Sequence, residues 1–332
     1  MRRVGVAATA ALLGLLWYVP GVINAPAAQA TCATVGCPPP VPCNPGAGGC
    51  WTPTVGLRWQ YQLQGSHSGN GCNFASTGGI NVNISAAPAG GGAPVQPQVF
   101  DIDFQTDGFC TGGTITQENG AAVAAIHSNG ARAICYVDAG TAESFRPDYQ
   151  AYVDFNNQTG GALFGKPVGG FRNEFWLNIN NTVGQRDFIL AQVGSRVDRC
   201  VANGFDAVEF DNVDAYQNKT GLSISSDTQL LFNTQLANLV HSKGLTVGLK
   251  NDLGQANELK PWFDFAINEQ CFQYRECDFP PPGLAGWTAT GKAVFNVEYK
   301  PQAFKCAQAA SFSISSILKT VDLFDLPWTP CA

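Results

Sequence analysis

Short apolar runs alternate with longer mixed segments along the chain from residue 51 onward. The runs have the length and the β-branched and aromatic content of buried strands. In chain order they are LRWQYQL (57–63), VFDIDF (99–104), RAICYVD (132–138), EFWLNI (174–179), FDAVEFD (205–211), LTVGLKND (245–252), FDFAINE (263–269) and AVFNVE (293–298). The segments 117–130 and 227–244 have helical character, and each closes on a glycine suited to a helix C-terminus.

This alternation predicts a parallel sheet with crossover helices. Eight buried strands in about 280 residues favour an α/β fold of the (β/α)8, or TIM barrel, class over an open doubly wound sheet. No strand-like run leads into the Gly-x-Gly-x-x-Gly turn of a dinucleotide-binding sheet. A ninth run, ISSILKT (314–320), exceeds the count. We therefore expect one extra strand or one wrong assignment, and 174–179 is the weakest of the nine.

Carboxylates stand at or near the C-terminal ends of six of these runs: Asp103, Asp138, Asp211, Asp252, Glu269 and Glu298. In a barrel such ends converge on the mouth that carries the active site. The stretch GFDAVEFDNVDAY (204–216) adds Asp214, and strand alternation puts Glu209 on the same side as Asp211. Each acid alone is open to a second interpretation, as an ion-pair partner or a helix cap. Lys250 and Arg58, the few bases at strand positions, are too few to neutralise them all.

Length, composition and charge limit the kinds of molecule that the protein is expected to bind. The chain has 332 residues, of which 45% are hydrophobic, and a formal net charge of −6 with a pI near 5.0. That length suits one large domain, and the acidic balance without a basic run argues against nucleic acid. We expect a neutral or cationic partner and a monomeric protein.

The first 52 residues predict two further segments. Residues 1–30 have the basic start, apolar stretch and small-residue site of a secretory signal, so we expect a secreted protein without a membrane span; a retained anchor is the alternative. A leader rich in Cys, Pro and Gly follows over 31–52, and the catalytic domain is expected over 53–332. Twelve cysteines indicate disulfides, with zinc as the rival interpretation for the leader. The expected pairs outside the leader are Cys271–Cys277 and, as guesses, Cys72–Cys110, Cys135–Cys200 and Cys306–Cys331.

The carboxylates favour one kind of chemistry. Histidine-dependent hydrolysis lacks support, since His127 and His241 lie near ends of predicted helices, where a surface role is expected. A Ca²⁺ site stays open, although the stretch after Asp211 does not follow the EF-hand pattern. Two carboxyl groups suffice for glycoside hydrolysis, which needs no cofactor or metal. Rings near the strand ends are candidates for stacking on sugars or for packing: Trp59, Tyr61, Tyr136, Tyr216 and Phe272.

Several of these stretches resemble the successive motifs of glycoside hydrolase family 114, the endo-α-1,4-polygalactosaminidases. The resemblance extends from about residue 57 to 299 through LRWQYQL, VFDIDF, AICYVDAG, GFDAVEFDNVDAY, GLKND, INEQC and VFNVEY, of which EFDNVDAY and INEQC are the most specific. It implies a (β/α)8 barrel that cuts α-1,4-linked galactosamine polymers internally with an Asp and a Glu. The four-cysteine leader lies outside the resemblance.

Carried onto this sequence, the resemblance makes Asp211 the nucleophile and Glu269 the general acid/base of a retaining reaction. The remaining acids, the rings Trp59, Tyr61, Tyr136 and Tyr216, and Lys250 become candidates for binding the substrate. A cationic amino-sugar polysaccharide fits a mouth lined by acids. Two alternatives remain: a secreted carbohydrate-binding barrel without catalysis, and a hydrolase of another amino-sugar glycan.

Overall fold

A computed structural model describes residues 31–44, 50–68, 71–106 and 117–332. Its strands are β1 (Trp59–Gln62), β2 (His67–Ser68), β3 (Gly71–Cys72), β4 (Val99–Asp103), β5 (Arg132–Asp138), β6 (Thr141–Glu143), β7 (Phe164–Val168), β8 (Phe171–Leu177), β9 (Ala207–Asp211), β10 (Thr246–Lys250), β11 (Phe265–Glu269), β12 (Val294–Glu298), β13 (Ser315–Leu318) and β14 (Thr329–Pro330). Its α-helices are α1 (Cys32–Val35), α2 (Gly120–Ser128), α3 (Tyr149–Gln158), α4 (Gln185–Ala202), α5 (Ser226–Ser242), α6 (Ala256–Leu259), α7 (Cys271–Tyr274), α8 (Gly283–Thr288) and α9 (Cys306–Ser311). The expected signal segment, 1–30, lies outside the described residues.

Eight parallel strands form a nearly closed barrel in the order β1-β4-β5-β9-β10-β11-β12-β13, and β14 adds to β13 in the antiparallel sense. The predicted (β/α)8 fold with one extra strand is therefore confirmed. Eight of the nine strand-like runs supply the eight parallel strands, including 314–320. The predicted helices over 117–130 and 227–244 are α2 and α5.

The ninth run, 174–179, belongs to a different sheet. It falls largely within β8, which lies between β6 and β7 in a three-stranded antiparallel sheet. Because β6 begins three residues after β5 ends, this side sheet stands at the C-terminal end of the barrel, beside the mouth. Its assignment as a barrel strand is wrong, because apolar length alone cannot distinguish a barrel strand from a buried strand in an attached sheet.

A polar and aromatic seam joins β1 to β13. Trp59 Nε1 donates to the carbonyl of Ser315 at 3.0 Å, and Trp328 Nε1 donates to the carbonyl of Trp59 at 2.9 Å. The buried Lys319 ammonium donates to Gln60 Oε1 at 2.8 Å and to the carbonyl of Asp325 at 3.1 Å. Burial lowers the pKa of Lys319 to about 7. The C-terminal segment thus closes the barrel where strand pairing stops.

The cysteine-rich leader is bound to the outside of the barrel. Cys32 pairs with Cys37 and Cys43 with Cys50. Trp262 Nε1 donates to the carbonyl of Pro38 at 3.0 Å, and the backbone N–H of Asn44 donates to the carbonyl at the end of α5 at 2.9 Å. The four leader cysteines are therefore engaged as disulfides that shape a docked segment.

Three expected disulfides are confirmed: Cys135–Cys200, Cys271–Cys277 and Cys306–Cys331. The fourth, Cys72–Cys110, lies partly outside the described residues. Within the described ranges, no helix has the length and apolar character needed to cross a membrane.

The disulfide between β5 and α4 predicts a large stability difference. Cys135 and Cys200 are fully buried and 65 residues apart, so their bond restricts a long loop of the unfolded chain. The double variant Cys135→Ala/Cys200→Ala is expected to lose about 4 kcal/mol of unfolding free energy. Urea denaturation measures this loss. The matched variant Cys32→Ser/Cys37→Ser, whose loop spans 5 residues, should lose about half as much; equal losses would contradict the loop-entropy argument.

Candidate active site

Three neighbouring strands end in the residues that form the centre of the site. These are Asp211 on β9, Lys250 on β10 and Glu269 on β11. The next residue in each case has a left-handed backbone, with φ of 59° at Asn212, 51° at Asn251 and 67° at Gln270. Asn adopts this conformation more readily than most residues, and such strain gathers at functional sites.

A buried lysine holds the centre together. Lys250 is 2% exposed, and its Nζ lies 3.1 Å from Glu209 Oε1, 3.2 Å from Asp211 Oδ1 and 3.5 Å from Glu269 Oε2. It also donates to the Tyr61 hydroxyl at 2.9 Å. Burial alone would lower the pKa of Lys250, but the three carboxylates outweigh it and hold the pKa well above its usual value. The side chain is therefore a fixed ammonium and a poor amine nucleophile.

Asp211 is prepared as an anion. Its Oδ2 accepts a hydrogen bond from the Tyr136 hydroxyl at 2.8 Å, and its Oδ1 accepts from the backbone N–H of Asn212 at 2.9 Å. Burial acts to raise the pKa of Asp211, but Lys250 and these hydrogen bonds hold it below its usual value. About a fifth of the side chain (21%) remains exposed, so a charged carboxylate faces the mouth.

Glu269 has a different set of contacts. Tyr299 donates its hydroxyl to Glu269 Oε1, and Asn251 Nδ2 lies 3.4 Å from Oε2. Asn251 Oδ1 also accepts the backbone N–H of Glu269 at 3.0 Å. The side chain is 28% exposed. Neutral groups therefore orient Glu269, and the ammonium of Lys250 lies 3.5 Å from its Oε2.

The separation of these two carboxyl groups suits a two-carboxylate reaction. Lys250 Nζ lies 3.2 Å from Asp211 Oδ1 and 3.5 Å from Glu269 Oε2, so these two oxygens are at most about 6.7 Å apart. This limit, which applies to the two oxygens that face Lys250, is compatible with the roughly 5 to 5.5 Å separation of the carboxyl groups in a retaining glycosidase.

Two further acids lie close to the central pair. Asp138 Oδ2 accepts from Asn212 Nδ2 at 2.8 Å, and burial, then Glu143 and Asp211, raises the pKa of Asp138 well above its usual value. Burial and the charge of Asp211 raise the pKa of Asp214 to about 6. Gly140 packs here against Asn212: a Cβ at Gly140 would lie 1.8 Å from the Asn212 carbonyl oxygen, so the turn after β5 requires glycine.

The other strand-end acids are engaged elsewhere. Asp103 forms a two-point ion pair with Arg146. Asp252 is buried and accepts from Tyr216 and Asn233 at 3.1 and 3.0 Å. The sixth acid, Glu298, accepts the backbone N–H of Phe272 at 2.9 Å on the α7 side of β12. All six acids lie at the predicted strand ends, but these three do not meet Asp211 or Glu269.

Several candidate binding residues are enclosed by the barrel. Trp59 is fully buried and packs on Phe295 with ring centroids 5.4 Å apart. Tyr61 and Glu209 are 1% and 0% exposed and support Lys250 from below. Their contacts are internal, so we leave Trp59, Tyr61 and Glu209 out of the substrate-contacting set. Tyr216, half-buried beside Asp252, stays close to the mouth.

Sequence reasoning missed five residues near the site: Asp101, Arg146, Glu174, Asn251 and Tyr299. The sequence does indicate Asp101 as a site residue, because it lies two residues before Asp103 and therefore on the same face of β4. Tyr299 follows the last residue of β12, and Asn251 follows Lys250. Arg146 comes from a loop beyond β6, which no strand pattern indicates.

Glu174 differs from the other acids of the site because no side chain in the described part of the chain pairs with it. It lies on β8 opposite Glu143, is half-buried, and forms no hydrogen bond or ion pair with any described residue. Burial, then Glu143 and Asp211, raises the pKa of Glu174 to about 8. It is an uncompensated carboxyl group on the wall of the mouth. In the described part of the chain, no cluster of His, Cys, Asp and Glu is arranged to hold a metal ion.

The model of glycoside-hydrolase family GH114 matches residues 42–331, most of the chain. The chain belongs to family GH114. Its barrel with a carboxylate pair at the mouth is therefore the barrel of a glycoside hydrolase. No curated protein matches the sequence significantly.

Two solved structures place this GH114 chain among related folds. It is similar to Ega3 of Aspergillus fumigatus in complex with galactosamine, at 26% identity and a TM-score of 0.63, covering 85% of this chain and 98% of that one. It also shares its fold with the glycoside hydrolase domain of a PelA variant from Pseudomonas aeruginosa, at 14% identity and a TM-score of 0.50, covering 69% and 90% of the two chains.

The central lysine yields a stability prediction. Replacing Lys250 with Met leaves Glu209 buried without a cation, which is expected to cost about 3–5 kcal/mol of unfolding free energy. Urea denaturation of Lys250→Met measures the loss, with Lys305→Met at an exposed site as the control. Adding Glu209→Gln to Lys250→Met should recover part of the loss, because the unpaired charge is removed. A Lys250→Met variant as stable as the control would contradict the central role of the ion pair.

Proposed function

We propose that this GH114 protein is a secreted endo-α-1,4-polygalactosaminidase that retains anomeric configuration. The observation that carries the proposal is the contact of Asp211 and Glu269 with one buried ammonium, which keeps the two carboxyl groups within reach of one glycosidic bond. Glycoside hydrolysis through a carboxylate pair needs two carboxyl groups that flank one glycosidic bond.

The contacts support different roles for the two groups. Asp211 is held ionised, so its carboxylate attacks the anomeric carbon while Glu269 protonates the departing glycosidic oxygen. In the second step Glu269 accepts a proton from water, and the resulting hydroxide displaces Asp211 from the sugar. Lys250 stays charged throughout and keeps Asp211 anionic before attack and after release. Tyr136 and Tyr299 hold the two reacting groups in position.

Charge supports a cationic polymer as the substrate. The chain carries a net −6, and its mouth has carboxyl groups beyond the catalytic pair at Asp138, Glu174 and Asp214. The structure of Ega3 contains galactosamine, whose amino group is cationic when it is not acetylated. We assign Glu174, Asp214, Tyr136 and Tyr216 to the substrate-binding surface, whereas Asp138, which is 2% exposed, supports the surface from behind through Asn212. Fields from clustered acids attract such a polymer and disfavour an acidic one.

Secretion is supported by the disulfides. Five disulfides join described cysteines, from the leader to the C-terminus. Such bonds persist in oxidising compartments. The basic and apolar start of the sequence has the character of an export signal.

Turnover of a defined polymer tests the reaction. The mature protein is expected to cut deacetylated α-1,4-polygalactosamine into oligosaccharides, while Asp211→Asn and Glu269→Gln lose about 10³-fold or more in kcat because the pair acts as a unit. Product masses measure the cleavage, and NMR of the first product gives the anomeric outcome.

The controls separate the alternatives. Asp322→Asn, at an exposed site, should cleave like the parent protein. Cleavage of only the acetylated polymer would replace the proposed substrate with another amino-sugar glycan. Binding without cleavage by the parent protein would favour a carbohydrate-binding barrel, and an inverted product would overturn the assignment of Asp211 as the nucleophile.

Glu174 gives a pH-dependent prediction. Because its pKa is about 8, Glu174 is largely protonated at pH 7 in the free protein. An ammonium group of the substrate favours the ionised form, so binding at pH 7 should release a proton, and affinity should increase with pH over the range in which the substrate amine stays protonated. Calorimetry of Glu269→Gln with galactosamine oligomers, in buffers of different ionisation enthalpy, measures this release, because this variant keeps the Asp211 charge that helps to raise the pKa of Glu174.

The matched variants isolate Glu174. Adding Glu174→Gln to Glu269→Gln should abolish the release and weaken binding, whereas adding Asp154→Asn, on the exposed face of α3, should change neither. Acetylated oligomers should release no proton. Unchanged release in the Glu174→Gln background would place the titrating group elsewhere.

A further inference from the structure

A pair of carboxyl groups lies inside the barrel beneath the catalytic residues. Asp101 of β4 and Glu209 of β9 are both 0% exposed, and three of their four carboxyl oxygens, both of Asp101 and Oε2 of Glu209, meet no donor among the described residues. The two groups interact, since the charge of Glu209 raises the pKa of Asp101. Two ionised carboxylates are both acceptors and cannot satisfy each other, whereas one proton lets the O–H of one group donate to the other.

The remaining contacts show which residue holds the proton. Glu209 Oε1 faces the Lys250 ammonium at 3.1 Å and accepts from the Tyr61 hydroxyl at 3.3 Å, and both contacts stabilise its ionised form. Asp101 has no such support: among the described residues, no N–H or hydroxyl donor reaches either of its oxygens, or Glu209 Oε2. A buried carboxylate without donors is strongly disfavoured, so the proton belongs to Asp101.

We infer that Asp101 is a protonated carboxylic acid that donates its O–H to Glu209 and thereby acts as a positioning residue for the Lys250–Asp211–Glu269 centre. The bond satisfies Glu209 Oε2 and leaves Glu209 Oε1 to anchor Lys250. Its effect reaches Asp211 through Lys250, without any contact between Asp101 and the substrate.

The neutral form of Asp101 also sets the charge around the catalytic pair. The titratable and charged groups around Asp101 and Glu209 are Tyr61 of β1, Asp211 of β9 and Lys250 of β10. Tyr136 of β5 is the register neighbour of Glu209. Lys250 balances Glu209, and Asp211 carries the charge of the nucleophile. An ionised Asp101 would add a second uncompensated negative charge in a space closed to water. Burial, and then the charge of Glu209, raises the pKa of Asp101 well above its usual range, in agreement with this balance.

Infrared difference spectroscopy tests the proton without any assay of activity. The spectrum of the parent protein minus that of Asp101→Asn, at neutral pH, should contain the C=O band of one protonated carboxyl group. The control is Asp148→Asn, because the Asp148 carboxylate pairs with Arg196 and its pKa is lowered; its difference spectrum should contain carboxylate bands only. Carboxylate bands in the Asp101→Asn difference would overturn the inference.

The positioning role rests on the proposed glycoside hydrolysis and has its own readout. Asn at position 101 can still donate to Glu209, so Asp101→Asn should keep the parent kcat/KM within about twofold. Leu cannot donate, so Glu209 Oε2 is left without a donor and Lys250 is anchored less firmly beside Asp211. We expect kcat/KM of Asp101→Leu to fall about tenfold.

The same two variants separate a loss of folding from a loss of positioning. Thermal denaturation establishes that both variants are folded at the assay temperature. A folded Asp101→Leu with the parent kcat/KM, or an equal loss of kcat/KM in a folded Asp101→Asn, would overturn the positioning role. Failure of the parent protein to cleave any polymer would remove the proposed function, while the infrared result would still decide where the proton lies.

Discussion

The site depends on one ammonium group placed where water does not reach it. Lys250 is the shared partner of Glu209, Asp211 and Glu269, and it is 2% exposed. Removing a charge from water costs several kcal/mol, and the surrounding carboxylates must recover that cost. Each member therefore constrains the others: the lysine cannot lose its charge, and the carboxylates cannot lose the lysine.

The barrel makes this arrangement possible because neighbouring parallel strands deliver their last residues to one place. Asp211, Lys250 and Glu269 come from three successive strands, and Glu209 lies one inward-facing position below Asp211. Residues with left-handed backbone directly after these strands turn the chain away from the mouth. The structural charges, such as Arg146 with Asp103, are paired nearby, so the unpaired carboxyl of Glu174 stands out on the wall of the mouth.

The sequence was sufficient for the eight parallel strands of the barrel and for the positions of the six acids at or near their ends, because apolar runs and their last residues follow directly from a buried parallel sheet. It was insufficient to show in which direction each of these side chains points. Glu298 alternates with the inward-packed Phe295 and contacts α7, whereas Asp252 lies two residues beyond β10 after a left-handed turn. Arg146 reaches Asp103 from 43 residues away, through a side sheet that no strand pattern in the barrel indicates.

Asp101 illustrates the kind of information that only the packed structure holds. In the sequence it is one of two acids in VFDIDF. The alternation of side chains along a strand allows Asp101 to point into the barrel, but it does not indicate whether the carboxyl group is protonated. The state follows from a count of donors: Glu209 has a lysine and a tyrosine on one oxygen, and Asp101 has neither. A catalytic centre with one cation and several acids can keep a single nucleophilic charge only if the other acids are paired or protonated. In this barrel Arg146 pairs with Asp103, Lys250 with Glu209, and a proton neutralises Asp101, so the free negative charge is left on Asp211, where the proposed reaction needs it.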